Sequence, residues 1–301
     1  MEHRRGRRVG GGKTKTNYRV IGSPALLCAR TNNKITAHDD PRYTREFATK
    51  AYCSVVVNGA IMRLLAQAGI PVAFREQLSD RDTLVEWCDM FPLEVIGRRQ
   101  LVLDGSYVKR HPDLRLLPEA PRVPRLIVEM HLKTGHGGKF RTLDGRTINL
   151  HLNASKGQED PLIMDPHADV WELHHAKLPL WHAESRFATN TRRPEVRRDQ
   201  VVPDVAIIDE AEDLVRQVFY VLEMFFNLLG FRLQDIKIEV GISRVTGRLV
   251  VADVIDLDSL RIIDTLGRDH SKQTHRRGES AYHDRTEVSF RHRTRQGLSA
   301  A

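Results

Sequence analysis

Apolar positions along this chain recur at two spacings, one near 3.6 residues and one near two, and these predict alternating helices and strands. Residues 54–68 carry apolar side chains at helical spacing and end at Gly69, a residue suited to closing a helix. Residues 209–229 form the clearest predicted helix. Acidic residues stand at its start, where the helix dipole favours them, and Gly230 stands at its end. The stripe of Val215, Val218, Phe219, Leu222 and Phe226 marks its core face. Short strands are predicted at 18–20 and 25–29, around the turn Gly22-Ser23-Pro24, and further strands at 91–96 and 101–103. Two more, 235–242 and 249–255, flank a turn at Thr246-Gly247. The proline-rich stretch 112–124 is expected as a crossover between lobes, 134–156 as a surface loop or short hairpin, and 186–204 as a polar loop. No internal repeat is visible. The expected class is α+β, divided into a basic arm (1–10), one lobe (11–115), a second lobe (116–290) and a basic tail (291–301).

Composition sharpens this picture. Of 301 residues 41% are hydrophobic and 29% charged, the balance of a globular protein and not of a disordered one. No stretch approaches the roughly 20 apolar residues of a membrane span. The longest apolar run, 215–231, is broken by Arg216, Gln217, Glu223 and Asn227. The first residues are basic with no apolar run behind them, so a secretory signal is not expected. Cys28, Cys53 and Cys88 have no metal-ligand spacing, and an odd number argues against a disulfide framework, which points to a reducing compartment and hence the cytoplasm. The formal charge of +8 admits two readings, nucleic acid or phosphate-rich small molecules. Arginines at 4–8 and 291–295 carry much of the excess and read as solvated tails. No zinc-finger or RNA-binding signature accompanies the charge, so nucleic acid is not the expected partner.

Three constellations carry candidate chemistry. Gly10-Gly11-Gly12-Lys13-Thr14-Lys15 joins glycines, whose backbone N–H groups can approach phosphate oxygens, to lysine point charges. The glycine spacing is not that of a Walker loop, and a flexible basic arm is the competing reading. In Asp235-Ile236-Lys237-Ile238-Glu239-Val240, alternation sets the isoleucines on one face and the charges on the other. Counting back from the turn places Glu239 opposite Asp253, give or take one step of register, with Asp253 sharing a face with Val251 and Ile255. Facing carboxylates repel unless a cation sits between them, and Mg²⁺ is one such cation. A salt-bridged exposed hairpin with Lys237 and Arg248 is the alternative. Third, Arg98-Arg99, Gly105-Ser106-Tyr107-Val108-Lys109-Arg110 and Asp258-Ser259-Leu260-Arg261 offer guanidinium forks and a hydroxyl suited to phosphate or carboxylate, although arginines on exposed strands are common.

Taken in order, these segments resemble the SAICAR synthetase family, and its animal-type branch more than the typical bacterial one. The matching stretches are Gly12-Lys13-Thr14-Lys15, Lys34-Ile35-Thr36-Ala37, Gly69-Ile70, Ala73-Phe74, residues 88–94, Arg98-Arg99, residues 105–112, Val128-Glu129 with Lys133, and Glu159-Asp160-Pro161. Residues 235–241, residues 252–261 and Lys272-Gln273 complete the series, which spans nearly the whole chain. The resemblance implies a two-lobed ATP-binding fold, with a glycine-rich sheet lobe at 11–115 and a larger α/β lobe at 116–290 holding the metal and substrate site. It implies that Gly12, Lys13 and Lys15 approach ATP phosphates, and that Asp89, Met90 and Glu94 belong to the adenine hinge. Glu239 and Asp253 would hold Mg²⁺ with Lys237 beside them. Arg98, Ser106, Arg110, Asp258, Arg261 and Lys272 would hold a ribotide, with Lys237, Asp258 and Arg261 the candidate catalytic residues. The implied reaction activates the carboxylate of a carboxyaminoimidazole ribonucleotide as an acyl phosphate and condenses it with L-aspartate.

This chain departs from the family pattern at several places. The spacing from Arg99 to Gly105 is longer, with Leu101-Val102-Leu103-Asp104 replacing small residues, and an insertion follows Lys133. Thr49 replaces the glycine ahead of the helix lysine Lys50, Leu260 replaces a tryptophan, and Ser271-Lys272-Gln273-Thr274-His275-Arg276 departs from the family's Asp-Lys-Gln-x-Tyr-Arg. Nothing after Arg295 resembles the carboxylase domain fused to the animal enzyme, so that activity is not expected. Besides the synthetase, two alternatives stay open: a paralogous ligase acting on a related ribotide acid in C-nucleoside biosynthesis, and a basic nucleic-acid-binding protein on a degenerate fold. The second is disfavoured by the intact Glu239 and Asp253. A homo-oligomer stays open, because nothing in the sequence decides it.

Overall fold

The computed structural model describes residues 5–12, 14–36, 44–47, 49–117, 119 and 121–271. Two compact units emerge. The first comprises the chain up to Met90, Tyr220–Leu233, and the residues from Gly241 on; the second comprises Phe91–Phe219 and Gln234–Val240.

In the first unit, strands β1 (Arg5–Gly11), β2 (Lys15–Val20) and β3 (Ser23–Thr31) follow one another, and the short β4 (Lys34–Thr36) and β5 (Thr44–Glu46) pair with each other. Helix α1 (Lys50–Gln67), β6 (Phe74–Gln77) and β7 (Asp82–Glu86) come next. The sheet has the order β1-β2-β3-β7-β6 and is antiparallel throughout. The basic residues expected as a solvated arm thus include an edge strand. Its arginines keep solvent on one side while Arg5 lies 5.0 Å from the centre of the Tyr18 ring and 3.6 Å from Asp82. Helix α1 begins at Lys50, ahead of the predicted 54, and buries Val55, Val57, Ile61 and Leu65. Gly69 ends it with φ +81°, and the N–H groups of Gly69 and Ile70 bond back to Ala66 and Leu65, which satisfies two terminal carbonyls.

The long strand β8 (Cys88–Gln100) leads into the second unit, followed by helix α2 (Ser106–Arg110) and β9 (Arg122–Leu132). Next come the hairpin β10 (Lys139–Arg141) and β11 (Thr147–Asn149), then β12 (Leu162–Ile163), β13 (Leu173–His174) and helix α3 (Ala206–Leu228). The chain continues through β14 (Phe231–Ser243), β15 (Leu249–Val251) and β16 (Leu260–Asp264). The second sheet runs β13-β12-β9-β8-β14, and β15 and β16 also pair with β14. The predicted stripe on α3 is core: Val215, Val218, Phe219, Leu222 and Phe226 are fully buried. Gly97 lets the helix approach β8, because a Cβ there would lie 3.3–3.5 Å from Leu126, Phe219 and Val215. Residues 101–103, expected as a strand, form a turn. The insertion after Lys133 is a hairpin tied at its root, where the Asp160 carboxylate accepts the Thr134 N–H at 2.6 Å and the Asp160 N–H donates to the Thr134 hydroxyl. Phe140, Leu150 and Leu152 bury its inner side.

One strand prediction fails where it bears on chemistry. Strand β15 stops at Val251, so Asp253 lies in the bend beyond it and not on a strand face with Val251 and Ile255. Among the described residues no helix is long and apolar enough to cross a membrane.

Candidate active site

Alternation along β8, β9 and β14 gathers charge on one face of the second unit. Glu94 and Arg98 come from β8, Glu129 and His131 from β9, and Asp235, Lys237 and Glu239 from β14. The register pairs Glu94 with His131 and Ile96 with Glu129. Arg98, almost fully buried, directs Nε to Glu129 at 2.7 Å, Nη1 to Asp235 at 2.9 Å and Nη2 to the Ser106 hydroxyl at 3.0 Å. Ser106 opens α2, and Arg110 closes it, reaching back to Glu129 and to the Ala176 carbonyl at 2.6 Å. Burial alone would raise the Glu129 carboxyl, but the two guanidiniums outweigh it and hold the group down at about 2.

Further along the same face, Lys237 donates to Glu94 at 2.6 Å and to Glu239 at 3.3 Å, and Lys133, just past β9, pairs with Glu239. Burial works against ionised Glu94, yet Lys237 and then Lys133 keep it below the ordinary carboxylate range. The two lysines are the accessible edge of this face, 41% and 32% exposed, whereas Arg98 and Arg110 are sealed beneath. His131 donates Nδ1–H to the Asp160 carbonyl at 2.9 Å, which leaves Nε2 a buried lone pair with no hydrogen-bond partner. Desolvation first, then Arg110 and Arg98, lowers its affinity for a proton below that of an ordinary histidine, against the pull of Glu129.

The first unit supplies a different set. Lys15 on β2 pairs with Asp253. The buried Lys50 ammonium lies 3.4 Å from Asp258 and 3.9 Å from Asp256, and Asp256 accepts the Ser54 hydroxyl and the Asp258 N–H. Arg261 follows on β16, half-buried. Gly11 turns the chain between β1 and β2, with Gly12 N–H bonded to the Lys15 carbonyl; a Cβ on Gly11 would collide with that same carbonyl. At the start of β8, Asp89 is gripped by Arg244 through contacts of 2.5–3.1 Å, and Met90 is 43% exposed. Arg244 also stacks 4.4 Å from the Trp87 ring, with Arg19 at 5.0 Å. Gly241 runs directly against this segment, since a Cβ there would stand 2.9 Å from the Asp89 carbonyl.

Within the second unit the structure therefore brings together Glu94, Arg98, Ser106, Arg110, Lys237 and Glu239 on one sheet face, and within the first it pairs Lys15 with Asp253, Lys50 with Asp258 and Arg244 with Asp89. Lys13 and Lys272 fall outside the described residues. Lys237 does pair with Glu239, as the salt-bridged-hairpin alternative expected, and also with Glu94, but Glu239 is buried on the sheet face and not on an exposed hairpin. Each candidate metal carboxylate carries a lysine: Glu239 touches Lys133 and Lys237, and Asp253 touches Lys15. Among the described residues no three His, Cys, Asp or Glu side chains converge as a ready metal cage. Sequence reasoning passed over Lys133, Glu129, Asp235, Asp256 and Lys50 as site residues. Lys133 and Glu129 stood inside matched motifs, but their partners are distant in sequence.

A family model described as SAICAR synthetase matches residues 8–171 and 187–289. The bifunctional phosphoribosylaminoimidazole carboxylase/succinocarboxamide synthetase of Rattus norvegicus is 27% identical over 284 residues, covering 94% of this chain and 54% of that protein. The chain thus spans about half the length of such animal relatives. A phosphoribosylaminoimidazole-succinocarboxamide synthase of Chloroflexus aurantiacus is 29% identical over 251 residues, 83% of this chain and 78% of that one. Among solved structures, a type-2 SAICAR synthetase in complex with ADP superposes with TM-score 0.66 at 23% identity, covering 95% of this chain and 97% of the other. With the family's motifs on the strands just described and its model matched along most of the sequence, the chain belongs to the SAICAR synthetase family.

Proposed function

We propose that the chain is an ATP-dependent ligase that activates the carboxylate of a carboxyaminoimidazole ribonucleotide and condenses it with L-aspartate, a step of purine biosynthesis. The observation that carries this reading is the polar sheet face of the second unit, where Lys133 and Lys237 stand as accessible cations on buried carboxylates in a chain of this family. A carboxylate is a poor acyl donor until one oxygen becomes part of a phosphate leaving group. The chemistry is therefore phosphoryl transfer from ATP to that oxygen, then attack by the amine on the acyl carbon with loss of phosphate. Little covalent work falls to the protein; positioning and charge neutralisation do most of it.

In this reading Gly12, Lys13 and Lys15 hold the ATP phosphates, and backbone groups of Asp89 and Met90 meet the adenine, as suits a relative solved with ADP. Glu239 and Asp253 would hold Mg²⁺, which supplies positive charge to the transferring phosphoryl group. Their lysines would then be released toward the phosphate oxygens. Ser106, presented by Arg98, and Asp258, Arg261 and Lys272 hold the ribotide, while Arg110 acts from beneath by fixing Glu129. Lys237 sits between Glu94 and Glu239, where it can neutralise charge developing on the transferred group. The enzyme would act on small molecules in the cytoplasm, with its basic charge serving phosphates and not nucleic acid.

The test is phosphate release by purified protein given ATP, the carboxyaminoimidazole ribotide and aspartate, with and without Mg²⁺. Turnover that requires all four supports the reading, and Asp253→Asn is expected to lower it at least tenfold while leaving the fold intact. Turnover without the ribotide acid, or near-normal turnover of Asp253→Asn, overturns the assigned reaction or the metal role respectively. Offering a pyrazole acid in parallel separates the synthetase from a paralogue of altered acid preference.

A further inference from the structure

We infer that Lys50 is a positioning residue for Asp258, fixing the carboxylate that the proposed function places on the ribotide; the inference rests on that placement. Lys50 occupies a position that ordinarily rejects a lysine. Its side chain is 1% exposed, so the ammonium has lost its hydration. It is also the first residue of α1, where the positive end of the helix dipole opposes a cation. A charge so placed is retained only against close counter-charges.

Two carboxylates meet it, and they differ in what else they do. Asp256, at 3.9 Å, is a structural group: it accepts the Ser54 hydroxyl, accepts the Asp258 N–H at 2.9 Å, and is 3% exposed. Its own N–H is held by the Ser259 hydroxyl, which in turn donates to the Val254 carbonyl, so the turn 254–259 closes on itself. Asp258 is nearer the ammonium, at 3.4 Å, and its side chain is 17% exposed, open to solvent along one edge. Lys50 thus anchors one oxygen of Asp258 from the buried side. A carboxylate held in this way is suited to a hydroxyl or N–H donor on the ligand.

The experiment measures the Michaelis constants for ribotide and for ATP, with thermal stability, in four variants. Lys50→Met is expected to raise the ribotide constant at least tenfold, the ATP constant little, and to lower the melting temperature, because the buried Asp256 carboxylate then loses this counter-charge. Lys50→Met combined with Asp256→Asn restores the charge balance; it should recover the melting temperature and keep the raised ribotide constant. Lys50→Arg, which preserves the charge, should return most of the ribotide affinity. Asp258→Asn should raise the ribotide constant by itself. A double variant with wild-type ribotide affinity, beside an impaired Asp258→Asn, overturns the inference alone and leaves Lys50 a mere counter-ion to Asp256. An unimpaired Asp258→Asn overturns the ribotide assignment, and the inference with it.

Discussion

At the scale of single residues, Glu129 and His131 share one strand face, and both cost stability on acidification, in different pH ranges. Glu129 is held at about 2 against an ordinary 4.5, so the folded state favours its ionised form. Its contribution is complete above pH 4.5 and is lost as the pH falls toward 2. Removing that charge by Glu129→Gln leaves Arg98 and Arg110 sealed in with too little counter-charge. A loss of about 3–5 kcal/mol is expected in urea titration, with the steep acid limb of the stability profile reduced. His131 acts at higher pH in the same direction, because the folded state resists protonating it too. As the pH drops below 6.5, the ordinary value, the unfolded chain takes up a proton that the native one refuses, and stability declines. His131→Phe should therefore flatten the stability slope between about pH 7 and pH 5, measured by thermal melts in a pH series. A slope unchanged by the substitution would show that other groups govern it. Neither behaviour was legible from sequence. Glu129 stood in a matched motif, but Arg98 and Arg110 reach it only through the register of β8 on β9 and the placement of α2.

Helices and strands were legible to different degrees, and the reasons are physical. The helices α1 and α3 carry a buried stripe long enough for periodicity to be decisive, and both end at glycines of positive φ. Strand β1 was hidden because its arginines read as a solvated arm, while an edge strand needs only one paired side. Strand β15 was read too long, since the apolar pattern continues into a bend that other contacts hold. The hairpin of β14 and β15 includes an approach sharper than pattern can reveal, at Gly241. A methyl group there would meet the Asp89 carbonyl and Met90. Gly241→Ala is expected to cost about 1–3 kcal/mol through overpacking, and to raise the Michaelis constant for ATP more than that for the ribotide. Equal effects on both ligands would detach this segment from adenine binding.

For the whole chain, family membership reached further than pattern. Periodicity yields the α+β class and matched motifs in order yield the family, but the pairing of Lys133 with Glu239 and of Lys15 with Asp253 came only from the structure. Ligand linkage offers a test that needs no turnover. Mg²⁺ and ATP together at about 100 times the dissociation constant should add about 2.7 kcal/mol of stability, or about 4 °C in melting temperature. On the proposed Mg²⁺ role, ATP with a chelator should give much less; an equal shift would remove Mg²⁺ from the proposal. The arginine-stacked indole of Trp87 provides a second, optical readout. The chain has three tryptophans; Trp171 is 4% exposed and Trp181 76%, so they emit as a buried and a hydrated indole. Trp87 adjoins the segment proposed for adenine, and it touches Arg244, the residue that grips Asp89. Its emission should shift as nucleotide disturbs that stack, and Trp87→Phe should abolish the change while leaving the other two signals in place. Nucleotide occupancy then becomes a colour that can be followed in real time, without label or coupled assay.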